Sequence, residues 1–375
     1  MKKFNLFNHS KKTYEGPDRA LVVIVSILIV LGLIMLFSAS VAVGLERFGD
    51  SAFFIKRQLF ALAIGLMALF AAYRIDYHQW QKWSLVMLVG SIVLLVLVLI
   101  PGVGVSGQGA QRWINLGLFS FQPSELVKLT LILYMSAWIS ERGEWLIKDI
   151  KAGLVPFVIL MGTIGFLILQ QPDLGSFLLI ALIGGVLFFV GGADVRHILS
   201  LIGAGAVMVG VAIKTAPYRL DRLLAFMNPS ADPQGTGYHI TQALLAVGSG
   251  GLFGLGLGHS RQKFFYLPEV VGDSLFAVIA EELGFFFSVA LIAVFVFFFL
   301  RSIAISRSSP DMFGKLAAVG IAIWIAAQAF VNIAAMLNVL PLTGLPLPLM
   351  SYGGSSLIIT LAGIGILLNI DKQRT

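Results

Sequence analysis

Asp273 closes the run Tyr266-Leu-Pro-Glu-Val-Val-Gly-Asp273, immediately ahead of a long apolar stretch, and Arg261 and Lys263 stand a short distance upstream. A carboxylate beside positive charge stays ionised near neutral pH and can take a proton from a hydroxyl. An acid in that place is also a common helix N-cap, and capping alone would account for it. Pro268 and Gly272 shape the approach in either case.

Further charges sit in or at the ends of apolar runs. There each costs about 2.5–3.5 kcal/mol at the centre of a membrane helix, so few persist without a partner or a task. Glu125 and Lys128 are three apart, share a helical face and can pair. Glu281 and Glu282 are adjacent and point roughly 100° apart, so at most one can face a given partner directly. Such groups are either structural ion pairs and headgroup-level side chains, or the lining of a polar cavity opening outward. Arg112 lies in Gln111-Arg-Trp-Ile, followed by Phe121-Gln-Pro-Ser-Glu125. Arg beside Trp is ordinarily a membrane belt. Pro123 in a first helical turn, however, leaves backbone N–H groups pointing outward with Ser124 and Glu125 beside them, and together with Arg112 and Lys128 this is a candidate anion site, the alternative to the belt.

Other chemistries are excluded. The Gly-rich run 248–258 lacks phosphate-loop spacing and no strand precedes it, so flexible backbone or close helix packing is expected. His9, His78, His197, His239 and His259 show no metal-ligand spacing. With no cysteine there is no thiolate, disulfide or Cys-ligated metal.

The elements that must position these residues are membrane helices. Of 375 residues, 58% are hydrophobic and only 12% charged, and the mean hydropathy is +0.92, far too apolar for a soluble globule. Ten runs reach membrane length: 20–42, 54–73, 83–101, 123–139, 153–170, 174–191, 197–214, 275–300, 315–338 and 351–369. The fifth and sixth are separated only by Gln171-Pro172-Asp173, which predicts a tight hairpin. With the N-terminus inside, sixteen Lys and Arg fall on inner segments and four (Arg47, Lys56, Arg57, Arg112) on the short outer ones. This asymmetry predicts an all-α polytopic bundle with both termini cytoplasmic and one large extracytoplasmic loop, about 215–274, between the seventh and eighth helices. Residues 1–19 and 371–375 are cytoplasmic tails around one transmembrane domain, 20–370. The first apolar run, about 23 residues, exceeds the h-region of an export signal and reads as a retained helix. Topology thus explains the net charge of +7 without nucleic acid.

Gln111-Arg-Trp-Ile, Gln122-Pro-Ser-Glu-Leu-Val-Lys128, Gln171-Pro-Asp-Leu-Gly-Ser176, Tyr218-Arg219, Asn228-Pro229, Asp232-Pro-Gln-Gly235, Gly237-Tyr238, Gln242, Ser249-Gly-Gly251, Tyr266-Leu-Pro-Glu269, Asp273 and Leu347-Pro-Leu-Met-Ser-Tyr-Gly-Gly-Ser-Ser356 resemble, in order, the SEDS family of shape, elongation, division and sporulation proteins. Ser38-Ala-Ser40 and Gln262-Lys263 are similar to its division branch, FtsW, more than to its elongation branch, RodA. The sequence departs from the family pattern at Val271-Gly272, often His-Thr or His-Glu, at Ser274, often Phe, and at Gln111, where the pattern has Arg.

The resemblance implies a peptidoglycan glycosyltransferase of the bacterial inner membrane, polymerising lipid II at the division septum with a class B penicillin-binding protein and other divisome proteins. It implies Asp273 as the essential outer-loop acid, and Glu125, Asp173, Gln242, Glu269, Glu282 and Ser351 as a supporting polar network. An acceptor hydroxyl must lose a proton as it attacks a sugar bearing a diphosphate-lipid leaving group. Asp273 is therefore expected to act as general base, and Arg112, Lys128, Arg219 and Lys263 to stabilise the diphosphate. A divalent cation, Mg²⁺ or Mn²⁺, is chemically reasonable because two phosphates need countercharge, but no ligands are assigned. A lipid II flippase would need a charged path across the bilayer, and a division scaffold would need no acid-bearing loop.

Overall fold

In the computed structural model, which describes residues 18–107, 110–115, 117, 120–214 and 217–373, aspartate side chains open several of the helices. The carboxylates of Asp18, Asp76, Asp173 and Asp311 accept from the N–H groups of Leu21, His78, Ser176 and Gly314 at 2.8–3.1 Å. Each satisfies a donor that the first turn leaves without an intrahelical partner.

Helices replace all ten apolar runs: α1 (Arg19–Phe48), α2 (Phe53–Arg74), α3 (Tyr77–Val98), α4 (Pro123–Lys148), α5 (Val155–Leu169), α6 (Leu174–Val190), α7 (Val195–Lys214), then α10 (Leu275–Ser308), α11 (Met312–Met336) and α12 (Gly354–Lys372). Among the described residues seven helices are long and apolar enough to cross a membrane by themselves. The others are explained by context. α6 and α7 are apolar but short, and α4 carries Glu125 and Lys128, both buried against protein. α12 is the centre of the bundle, with 83% of its apolar window buried, whereas α2 buries 22% and turns the rest outward. Exposed Met67, Phe70 and Phe166 are what a lipid-facing surface requires. Along α7 no described side chain is buried, so this helix stands at the bundle's edge.

Two parts of the architecture differ from the sequence expectation. The segment linking α3 to α4 folds as an antiparallel sheet of β1 (Gly104–Gly107), β2 (Ala110–Asn115) and β3 (Ser120–Phe121), ordered β1-β2-β3. The segment after α7 is not a plain loop: it contains α8 (Pro217–Met227) and α9 (Tyr238–Ser249). Both are too short to cross a bilayer and were hidden by their polar and glycine content.

The eighth apolar run is also not one continuous helix. Gly284 (φ 78°, ψ −173°) breaks α10, freeing backbone groups on both sides. The Gly-rich segment supplies their partners. Leu255 and Gly256 donate to the carbonyls of Glu281 and Glu282 at 3.0 and 2.9 Å, while Phe285 and Phe286 donate to those of Gly251 and Leu252 at 2.9 and 3.3 Å. A Cβ on Gly254 would lie 2.2 Å from the Glu282 carbonyl oxygen, so only glycine permits this approach. The run 248–258 is therefore tight backbone packing rather than flexible chain.

Candidate active site

Asp273 sits at the end of a turn that enters α10, and Ser274, not Asp273, occupies the N-cap position. The capping explanation of the acid is thereby overturned. Of its carboxylate, Oδ1 is buried with no hydrogen-bond partner. Burial raises its pKa to about 6, against the opposing charge of Arg222.

The turn itself is held from several sides. The carbonyl of Glu269 (φ 51°) accepts from Gly272 and Ser274 at 2.9 and 3.2 Å. Tyr352 N–H reaches the Val271 carbonyl at 2.8 Å. Asn332 on α11 donates to the carbonyls of both Asp273 (2.7 Å) and Leu345 (2.8 Å). One turn earlier on α11, Gln328 donates to the Pro346 carbonyl at 2.9 Å and accepts from Lys128 Nζ at 2.9 Å.

Lys128 also meets Glu125 at 2.7 Å and lies 5.6 Å from the centre of the Trp324 ring. It is fully buried. Glu125 Oε2 is buried and unpartnered. The sequence-predicted pair thus forms, and Gln328 and Asn332 join it to the turn of Asp273. Asp173 lies at the neighbouring helix entry: it caps α6 and receives Gln122 Nε2 at 3.4 Å. Gly175 approaches Thr343 so closely that a Cβ would lie 2.4 Å from its carbonyl oxygen. This brings α6 to the 337–353 segment, where a Cβ on Gly344 would lie 4.0 Å from Asp273 Oδ2.

The remaining predicted residues fall elsewhere. Arg112, on β2, donates to the carbonyls of Gln171 (2.8 Å) and Pro172, fastening the sheet to the α5–α6 hairpin. Lys263 directs Nζ to Glu282 (2.8 Å), Ser38 (3.1 Å) and the Gly258 carbonyl (2.7 Å). No described contact joins it to Asp273. Glu282 further accepts from Gly258 N–H at 3.0 Å, and Glu281 from Arg261 N–H at 2.9 Å and from the Ser260 hydroxyl. The two adjacent glutamates thus pin the Gly-rich segment beside the α10 break. Ser351 Oγ accepts from Leu347 N–H at 3.0 Å and its carbonyl from Gln58 at 3.2 Å, which shapes the entry to α12. Gln242 is half-buried on α9, and Glu269 is exposed. The Arg219 side chain lies outside the described residues.

Sequence reasoning missed Arg222, Asn332 as an anchor, and His239. Arg222 follows Arg219 by three residues, a helical spacing that could have been read. His239 Nε2 lies 2.7 Å from Ser274 Oγ, and burial pushes its pKa down to about 4. Nothing in the primary structure pairs residues 35 apart.

A helical membrane bundle whose buried polar side chains lead to the turn that carries Asp273 defines a class of polytopic membrane protein. The chain belongs to the FtsW, RodA and SpoVE family: the family model, described as cell cycle protein, matches residues 18–375. It is 44% identical to stage V sporulation protein E of Bacillus subtilis (strain 168), over 97% of this chain and 98% of that one. It is 40% identical to a probable peptidoglycan glycosyltransferase FtsW of Geobacter sp. (strain M18), over 96% and 98%. Its fold resembles a chain of a solved peptidoglycan synthase complex, described as coordinating polymerization and crosslinking (TM-score 0.78, 31% identity, 96% and 98% covered). It also resembles the rod shape determining protein RodA of Thermus thermophilus (TM-score 0.71, 30% identity, 96% and 97% covered).

Proposed function

We propose that this protein is a peptidoglycan glycosyltransferase, polymerising lipid II on the outer face of the bacterial inner membrane, with Asp273 as general base. The observation that carries the assignment is the half-buried Asp273, its Oδ1 buried and unpartnered and its pKa raised to about 6, on a turn fixed by Asn332. A base with that pKa is mostly ionised at neutral pH yet still basic enough to take a proton in the transition state.

The step is a single inverting displacement. The acceptor hydroxyl oxygen attacks the anomeric carbon of the donor sugar, and Asp273 takes the hydroxyl proton. The bond to undecaprenyl diphosphate breaks, and its electron pair leaves with the diphosphate, turning an α-linked donor into a β-linked product. Arg222, whose charge acts on Asp273, and Arg219 on the same helix are the cations assigned to the diphosphate. Lys128 and Arg112 act as the polar frame behind them: Lys128 is fully buried between Glu125 and Gln328, and Arg112 is fastened to the α5–α6 hairpin. Lys263, buried against Glu282, is placed with the frame.

The working unit includes a class B penicillin-binding protein at the division septum. A divalent cation bound to the diphosphate would supply countercharge to its two phosphates, with no protein ligands assigned; among the described residues no three His, Asp or Glu cluster as a metal site. The test is glycan synthesis from purified lipid II by the protein with its transpeptidase partner, with and without Mg²⁺ or Mn²⁺. Absence of strands from a folded complex, together with lipid II transfer across reconstituted vesicles, would overturn it in favour of a flippase.

A further inference from the structure

The Asp273 turn has a fastener that its backbone pairing does not require. Ser274 Oγ lies 2.7 Å from the Pro268 carbonyl and 2.7 Å from His239 Nε2. A carbonyl only accepts, so the single hydroxyl proton of Ser274 points to Pro268. The hydroxyl oxygen then accepts, which places the imidazole proton on Nε2. The chain His239 to Ser274 to Pro268 therefore has one direction. It spans the turn, from Pro268 near its start to the residue after Asp273.

We infer that His239 is a positioning residue for Asp273: acting through Ser274, the α9 ring holds the turn that presents the carboxylate. The inference rests on the base assignment above. Asp273 is gripped on its carbonyl by Asn332 from α11, and its C-terminal neighbour is gripped by His239 from α9. Two helices thus fix the carboxylate without either bonding to it, which leaves Oδ1 uncommitted. Ser274 is fully buried with the ring in place, so the ring is the donor that reaches its hydroxyl oxygen. Glu269 and Arg222 act on His239 in opposite senses, and burial keeps the ring neutral. A neutral Nε2–H donor can be replaced by a glutamine amide of similar reach, but not by alanine.

The experiment uses the full chain with its transpeptidase partner and measures kcat, KM for lipid II and the pH–rate profile for His239→Ala, His239→Gln, Ser274→Ala and the double alanine variant. His239→Ala and Ser274→Ala should each lower kcat about 10- to 100-fold, the scale of a small misplacement of a reacting group, with KM changed by no more than about twofold. The double variant should be no slower than the slower single, because both remove one fastener. His239→Gln should restore most of kcat. In the alanine variants the acid limb should move below its wild-type position as water reaches the carboxylate. Wild-type kcat in both alanine variants, additive losses, or a glutamine variant as slow as alanine would overturn the inference. Should His239→Ala not yield folded protein, Ser274→Ala and His239→Gln decide the question on the same criteria. Failure of the base assignment looks different: Asp273→Asn would then polymerise normally, whereas an inactive Asp273→Asn beside a fully active His239→Ala rejects only the positioning role.

Discussion

Asn332 Nδ2 lies 2.7 Å from the main-chain oxygen of Asp273 and 2.8 Å from that of Leu345, so one amide on α11 holds both the catalytic turn and the α11–α12 connection. Replacing it with leucine leaves two buried carbonyls without this donor. The expected cost is about 1–3 kcal/mol per unsatisfied group. Asn332→Leu should therefore lower both thermal stability and polymerisation, measured as Tm in detergent and as strand yield.

The raised pKa of Asp273 gives a signed pH dependence. Activity should rise with pH through about 6 and level off above it, because only the carboxylate accepts a proton. Stability runs the other way. Folding favours the protonated form, so this contribution is full below the ordinary value of 3.8 and is lost as pH rises through about 6. Asp273→Asn should show a higher Tm than wild type in mildly alkaline buffer, with the gap narrowing as the pH falls below the pKa of the acid.

The buried Glu125–Lys128 pair separates frame from chemistry. Lys128→Met leaves a carboxylate uncompensated and should destabilise by about 3–5 kcal/mol, whereas Glu125→Leu with Lys128→Met should lose much less. A stable but inactive double variant would give Lys128 a direct role on the diphosphate. A stable, active one would confine it to the frame described above.

The α10 break is a further point of leverage. A Cβ on Gly284 would lie 2.2 Å from Gly254 N, and its φ of 78° with ψ of −173° belongs to glycine almost alone. Gly284→Ala should separate the Gly-rich segment from α10 and expose it to limited proteolysis near 250–258.

Much of this was legible in the chain. Ten apolar runs and the Lys and Arg asymmetry pointed to the bundle and its orientation, and the three-residue spacing of Glu125 and Lys128 pointed to their contact. What was not legible depended on tertiary partners. Periodicity cannot report the break at Gly284, because an apolar run with one glycine still scores as helix. Nor does it foretell that Lys263 would be taken up by Ser38 and Glu282, residues 225 and 19 positions away. Asp273 read equally well as a cap or a base until Ser274 was seen in the capping position. Arg222 gained its meaning only when α8 brought its charge to bear on Asp273.

The central claim is tested most directly by glycan strand formation from purified lipid II, comparing wild type with Asp273→Asn in the presence of the transpeptidase partner. The Asp273 assignment predicts strands from wild type and a loss of about 10²- to 10⁴-fold in the variant, the usual contribution of a positioned base. Wild-type rates from folded Asp273→Asn would contradict it.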